Sequence, residues 1–136
     1  MGVRSDVGIA MRECMVNHLS PEARKFLKEW HFEERERIKT GGDAGRLFHT
    51  SDVKWYSDSY EDIIAFMRHL HEDHDEDDWL LIKACPEYPN DDTSDAGGWY
   101  ENPWNLYKRV SVDLDWDYAE VGLDWSVLKP LWLRTQ

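Results

Sequence analysis

Residues 79–84 read Trp-Leu-Leu-Ile-Lys-Ala, and the first four of them form a short apolar run. Acidic residues precede this run and Pro86 follows it shortly afterwards. A continuous apolar run of this length between such boundaries is typical of a strand that is buried on both faces. The sequence therefore predicts a buried strand here.

Working toward the N-terminus, the next element is a helix with Ile63, Ile64, Met67 and Leu70 facing a core. Asp58 or Ser59 is predicted to cap this helix, because Ser59 and Asp62 have the spacing of a capping box. The helix should end near residues 71–73. Before it, residues 46–57 hold apolar residues that favour β-structure around a polar interruption, which predicts one bulged strand or a hairpin.

The first part of the chain predicts a strand and a second helix. Val7, Ile9 and Met11 alternate with small residues, which indicates a short strand, although a continuous start into a helix is also compatible. Ser20-Pro21-Glu22 is a helix start, because serine caps, proline fits the first turn and glutamate suits the helix dipole. This helix is expected to reach about Lys39 and to stop at the two glycines that follow.

Beyond the central strand, a long loop is predicted over residues 86–103, which are rich in proline and glycine. The clearest period of two follows over residues 110–118 and predicts a half-buried strand. Its polar face carries Asp113, Asp115 and Asp117. Residues 126–134 indicate a docked tail or a short helix.

The element order β-α-β-(β)-α-β-β predicts an α+β fold, with two helices on one face of a four- to five-stranded antiparallel or mixed sheet. A ferredoxin-like sandwich or a related fold has this arrangement. With 136 residues, the chain is expected to form a single domain, residues 1–136.

The negative charge is concentrated in one segment. The chain carries a net charge of −12, and residues 58–95 hold 13 acidic and 2 basic residues, a net of −11. Like charges repel and resist burial, so this acidic central segment is expected at the surface. The acidic residues predicted to contact a partner are Glu72, Asp73, Asp75, Glu76, Asp77, Asp78, Asp91, Asp92, Asp95, Asp113, Asp115 and Asp117.

This charge argues against nucleic acid or an anionic membrane as a direct partner, since both require a cationic face. The sequence has no apolar run long enough for a signal peptide or a membrane span, so a cytoplasmic protein is expected. It also lacks the familiar motifs for phosphate binding, zinc proteases and serine hydrolases. No catalytic residue and no cofactor are predicted, which favours a protein that is not an enzyme.

Three histidines lie among the acidic residues and offer a metal-binding alternative. On a helix His71 and His74 share a face, whereas His69 and His71 do not. His71 and His74 with nearby carboxylates could therefore hold zinc or another divalent ion. The competing interpretation is that histidines simply suit the negative end of a helix dipole.

Trp99 and Tyr100 lie in the predicted loop and Trp104 directly follows it, beside two glycines and a proline. Large rigid rings on a loop are frequent anchors of protein interfaces, which predicts a partner contact or a homo-oligomer contact here. The alternative is a loop that folds back so that these rings complete the core.

Four short stretches carry a resemblance to known proteins: SDVGIAM at 5–11, VKWY at 53–56, WLLIKA at 79–84 and ENPWNLY at 101–107. With them the chain resembles small acidic proteins encoded by bacteriophages and prophages. The resemblance implies a compact protein that binds and blocks a host enzyme or a defence nuclease, in some cases by imitating nucleic acid. It assigns no site residue.

The leading hypothesis is a non-enzymatic, phage-type inhibitor whose acidic surface binds a basic surface of a host or defence protein, such as a nucleic-acid-binding enzyme. Mimicry of nucleic acid is physically reasonable, because alternate strand residues lie about 6.6 Å apart, a spacing of the same order as that of phosphates along DNA. The alternatives are a metal-binding module or metal-dependent enzyme that uses the histidine and aspartate cluster at 69–78, and a structural or assembly protein.

Overall fold

The computed structural model describes residues 4–85 and 94–107. In chain order the elements of this part are β1 (Ser5–Arg12), α1 (Glu13–Val16), α2 (Pro21–Glu29), β2 (Glu33–Ile38), β3 (Gly45–Val53), α3 (Glu61–Asp73), β4 (Trp79–Ala84) and β5 (Ser94–Gly97). A 3₁₀ turn at Glu76–Asp78 leads into β4.

The strands form one antiparallel sheet in the order β2-β3-β1-β4-β5. One crossover runs from β1 through α1 and α2 to β2, and the other runs from β3 through α3 to β4. This is the ferredoxin-like arrangement of two interleaved β-α-β units, with β5 added at the edge beside β4. The predicted α+β class is confirmed, and the described sheet is antiparallel rather than mixed.

The helices cover one face of the sheet. Their apolar side chains meet the alternate residues Val7, Ile9 and Met11 of β1 and Leu81 of β4. Stacked rings hold α2 against α3, since the ring centroids of Phe26 and Phe66 are 4.2 Å apart. Burial of these rings and aliphatic side chains stabilises the packing of both helices on the sheet.

A second apolar cluster covers the opposite face. It joins Ala10, Leu47, Leu80 and Ile82 of the sheet to side chains of the segment after β5. Strand β4 therefore contributes to both clusters, which confirms the prediction of a strand buried on both faces. The residues of that segment are Trp99, Trp104 and Leu106.

The predicted helix over residues 21–39 was wrong beyond Glu29. Ser20 caps α2 as expected, with the Ala23 amide donating to its Oγ at 3.1 Å. The helix then ends in a Schellman pattern, in which the amides of His31 and Phe32 donate to the carbonyls of Lys28 and Leu27 at 3.1 and 2.9 Å. The next residues form the edge strand β2, and the Gly41 turn joins β2 to β3 instead of ending a helix.

Two other predictions were correct in part. Residues 46–57 contain a single strand with a bulge, since Ser5 pairs with Val53 whereas Val7 pairs with Thr50. Helix α3 ends at Asp73 as expected, but neither Asp58 nor Ser59 caps it. Tyr60 holds the N-cap position without a capping side-chain hydrogen bond.

The predicted loop of residues 86–103 contains the strand β5, so the loop prediction was wrong over Ser94–Gly97. The backbone of β5 pairs with residues 80–83 of β4. The predicted strand over 110–118 and the predicted tail over 126–134 lie outside the described residues. Across residues 4–85 and 94–107, every helix is too short or too polar to span a lipid bilayer.

Candidate functional site

The densest acidic run lies at the junction between α3 and β4. Helix α3 ends at Asp73, and His74 follows in an extended conformation. Asp75 then caps the 3₁₀ turn, since its Oδ1 accepts from the Asp77 amide at 2.9 Å. Short acidic side chains suit these element ends, where they satisfy free amides and remain hydrated.

The carboxylates of this run stay at the surface. Residues 72, 73, 75, 76 and 77 are exposed, and Asp78 is half-buried. Three of the six carboxylates have a basic neighbour: Asp73 contacts His69 at 2.6 Å, Glu76 contacts His71 at 2.9 Å and Asp78 contacts Arg12 at 3.4 Å. Within residues 4–85 and 94–107, the carboxylates of Glu72 and Asp77 have no ion pair and no side-chain hydrogen bond.

A backbone contact brings Asp95 beside this run. The Gly98 amide donates to the Glu76 carbonyl at 2.7 Å, which ties the end of β5 to the 3₁₀ turn. The Tyr100 hydroxyl donates to Asp95 Oδ2 at 2.7 Å. This hydrogen bond, together with burial and the charges of Asp95 and Glu76, raises the pKa of Tyr100 above its ordinary value.

We call this group the acidic surface, and it joins two acidic runs that are separate in sequence. Tyr100 lies at its border and makes an edge-to-face contact with Tyr107, with ring centroids 5.3 Å apart. Its members are Glu72, Asp73, Asp75, Glu76, Asp77, Asp78 and Asp95. The other predicted contact residues, Asp91, Asp92, Asp113, Asp115 and Asp117, lie outside the described residues.

The structure corrects the expectation for two of the three loop aromatics. Trp99 and Trp104 are only 2% and 1% exposed and belong to the second apolar cluster, as the folded-back alternative requires. Tyr100 is 44% exposed and remains available for a contact. The difference arises because the second face of the sheet is itself apolar and needs large side chains to cover it.

Two residues that sequence reasoning missed hold this segment in place. The buried Asn102 donates from Nδ2 to the Trp99 carbonyl at 2.7 Å, and its Oδ1 accepts from the amides of Trp104 and Leu106. Its position before Pro103 is a signal for such a turn. The Arg12 guanidinium lies 4.7 Å from the ring centroid of Trp99 while it also contacts Asp78. Arg12 therefore connects the acidic surface to the second apolar cluster.

The histidines pair differently from the prediction. His74 lies beyond the end of α3, and its Nε2 is 3.3 Å from Nε2 of His69. His71 instead contacts Glu76 and the ring of Trp79. The structure pairs His74 with His69 rather than with His71, because the shared face of His71 and His74 holds only for helical spacing, whereas His74 lies in an extended conformation after the helix ends.

Burial lowers the pKa of His74, and the neighbouring His69 lowers it further. The described residues contain no group of three or more histidine, cysteine, aspartate or glutamate side chains arranged to hold a metal ion. Any metal site among them would therefore rest on a pair of side chains.

No family model, no curated protein and no solved structure matches the chain. A functional proposal therefore depends on the fold and on the geometry of the site.

Proposed function

We propose that the protein is a non-enzymatic binding protein whose acidic surface engages a basic surface of another protein. The observation that carries this proposal is the gathering of six carboxylates at the junction between α3 and β4 with Asp95 of β5 beside them, while Glu72 and Asp77 hold no counter-charge among the described residues. Like charges gathered on one surface oppose folding, whereas they attract and orient a cationic partner. A basic partner would supply the missing counter-charge.

The partner proposed is a host or defence protein that the chain inhibits, and a nucleic-acid-binding enzyme has the required cationic groove. The resemblance to small acidic phage proteins and the absence of recognisable catalytic motifs support this assignment. Such an inhibitor would act in the cytoplasm of the host cell. Mimicry of nucleic acid is the finer form of the same proposal.

The experiment is affinity capture from host lysate with matched charge-reversal variants. Glu72→Lys with Asp77→Lys reverses two exposed carboxylates that make no ion pair among the described residues. Glu33→Lys with Asp43→Lys reverses two exposed carboxylates on β2 and its turn and changes the net charge equally. We expect the first pair to reduce capture at least tenfold and the second pair to reduce it no more than twofold.

Salt provides an independent test of the same interface. Exposed ion pairs are screened over about 8 Å at physiological ionic strength, so capture should fall steeply between low and high salt. A partner that is retained equally at both salt concentrations and by both variants would contradict the electrostatic proposal.

Mimicry of nucleic acid makes a sharper prediction. Once a partner is purified, a short DNA duplex should compete with the protein for it, and the competition should be mutual. A partner that binds the protein and the duplex at the same time would contradict mimicry while leaving the acidic interface intact.

The exposed pair of Tyr100 and Tyr107 favours a second candidate, a structural or assembly role through self-association. These residues are 44% and 43% exposed and make a rigid aromatic contact at the border of the acidic surface. An oligomer that dissociates with Tyr107→Ser would support this role. A strict monomer by light scattering would contradict it.

A further inference from the structure

We propose that His69 and His74 form a two-histidine site for a divalent transition metal ion such as Zn²⁺. The site goes beyond the acidic interface, and it uses a residue pair that differs from the one the sequence predicts. The two nitrogens that would bind the ion are the Nε2 atoms, which lie 3.3 Å apart. Tetrahedral zinc with Zn–N bonds of about 2.05 Å places two ligand nitrogens about 3.3 Å apart.

The tautomer of His69 is fixed by its other nitrogen. Nδ1 lies 2.6 Å from Asp73 Oδ2, and a carboxylate can only accept, so Nδ1 donates. In the neutral ring this leaves the Nε2 lone pair free on the side of His74. Histidines that bind metal through one nitrogen commonly donate to a carboxylate through the other, which fixes the orientation of the ring.

The end of α3 creates the pair. Asp73 is the last helical residue, and His74 follows in an extended conformation. The ring of His74 makes an edge-to-face contact with that of His69, with ring centroids 4.9 Å apart and planes at 87°. A continuous helix would not give this approach between residues five apart. The pairing is therefore built by the same junction that forms the acidic surface.

The surroundings of His74 suit a cation. A cleft of about 380 Å³ borders it and is lined by His18, Cys14 and the acidic residues Asp73, Asp75 and Asp78. His18 donates from Nδ1 to the Cys14 carbonyl at 2.7 Å, so its neutral ring also carries the lone pair on Nε2. Water completes the coordination of an ion held by the two histidines, and the carboxylates supply favourable charge.

The experiment is zinc binding to the untagged full chain, measured by calorimetry and by competition with a chromophoric chelator. Wild-type protein should bind one Zn²⁺ per chain. His69→Gln and His74→Gln should each weaken the affinity at least tenfold, and Asp73→Asn should weaken it about tenfold, because it removes the carboxylate that orients the His69 ring. His71→Gln is the matched control, because His71 also contacts an acid at this junction but lies outside the pair, and it should change the affinity less than twofold.

A spectroscopic measurement keeps the proposal testable even if a variant fails to fold. Cu²⁺ bound to wild-type protein should show hyperfine coupling to two imidazole nitrogens. Three outcomes would overturn the proposal: no saturable binding of one ion per chain, equal loss of affinity in the His71 control, or a copper spectrum with oxygen ligands only. In each case the short His69–His74 contact would be a hydrogen bond between neutral rings.

Discussion

Gly45 shows how a single residue fixes the second face of the sheet. A Cβ atom at this position would lie 2.6 Å from the Met11 carbonyl oxygen and 2.8 Å from Cη2 of the Trp99 ring. Both distances are shorter than van der Waals contact, and neither the sheet backbone nor the buried ring can move freely. We expect Gly45→Ala to lower the free energy of unfolding by about 1–3 kcal/mol.

The matched control for this change is Gly42→Ala in the turn before β3, where an added Cβ would meet no atom within 4 Å. Its effect should stay within about 0.5 kcal/mol. Urea denaturation of both variants measures the difference. Equal stabilities would mean that the segment carrying Trp99 shifts without cost.

His49 should give the folded state a pH dependence. Burial, assisted by the charge of Arg35, lowers its pKa from 6.5 to about 4. The unfolded chain therefore binds this proton more readily between pH 4 and 6.5, so the stabilising contribution is complete above pH 6.5 and is lost as the pH falls toward 4. The loss should be on the order of 2 kcal/mol, because the side chain is only partly buried.

The measurement compares the free energy of unfolding at pH 7 and at pH 4.5 for wild-type protein and His49→Gln. The variant should lose less stability on acidification, because it lacks the titrating ring. Parallel losses in the two proteins would show that His49 does not contribute to the acid sensitivity.

At the scale of elements, the limits of the sequence prediction have a physical cause in α2. Helix α3 could be predicted because its apolar residues follow a helical period, and strand β4 because its short apolar run is bounded by acidic residues and a proline. The end of α2 could not, because His31 adopts φ of 61° at the position where glycine usually marks a helix end. The charged residues of β2 also fit a solvated helix as well as an edge strand, since both leave charges in water.

The candidate site was also predictable only in part. The position of the acidic run follows from its charge, since carboxylates without partners stay in water. The contact of Asp95 with Tyr100 and the pairing of His69 with His74 depend on backbone turns after the elements end. No periodicity encodes those turns, so the sequence indicated a histidine cluster without the correct pair.

Ser20 and Ser59 are both candidate helix caps in the sequence, but only Ser20 caps a helix. Ser20 accepts a hydrogen bond from the Ala23 amide, whereas the Ser59 hydroxyl contacts Asp58 and caps no helix. Ser20→Ala should therefore lower the free energy of unfolding by about 1 kcal/mol. Ser59→Ala should change it by less than about 0.5 kcal/mol. Thermal and urea unfolding would measure both, and an equal loss would contradict this assignment of the caps.

For the molecule as a whole, the placement of charge should matter more than its sum. The net charge is −12, and replacing any one glutamate with glutamine changes it to −11. If general repulsion controlled stability, every such change would stabilise the protein by a similar amount. Helix α3 offers a direct comparison, because Glu61 lies in its first turn and Glu72 in its last turn.

The two variants should have opposite effects. A negative charge near a helix N-terminus is favourable and one near the C-terminus is unfavourable, each by about 0.3–1 kcal/mol. Glu61→Gln should therefore lower the free energy of unfolding and Glu72→Gln should raise it at low ionic strength. The difference between the free energies of unfolding of the two variants should narrow in about 1 M salt, where charges are screened within about 3 Å.

Equal stabilisation by both changes would show that net repulsion dominates. Opposite effects would show that Glu72 of the acidic surface is held at a local cost in stability, as expected if it is retained for binding.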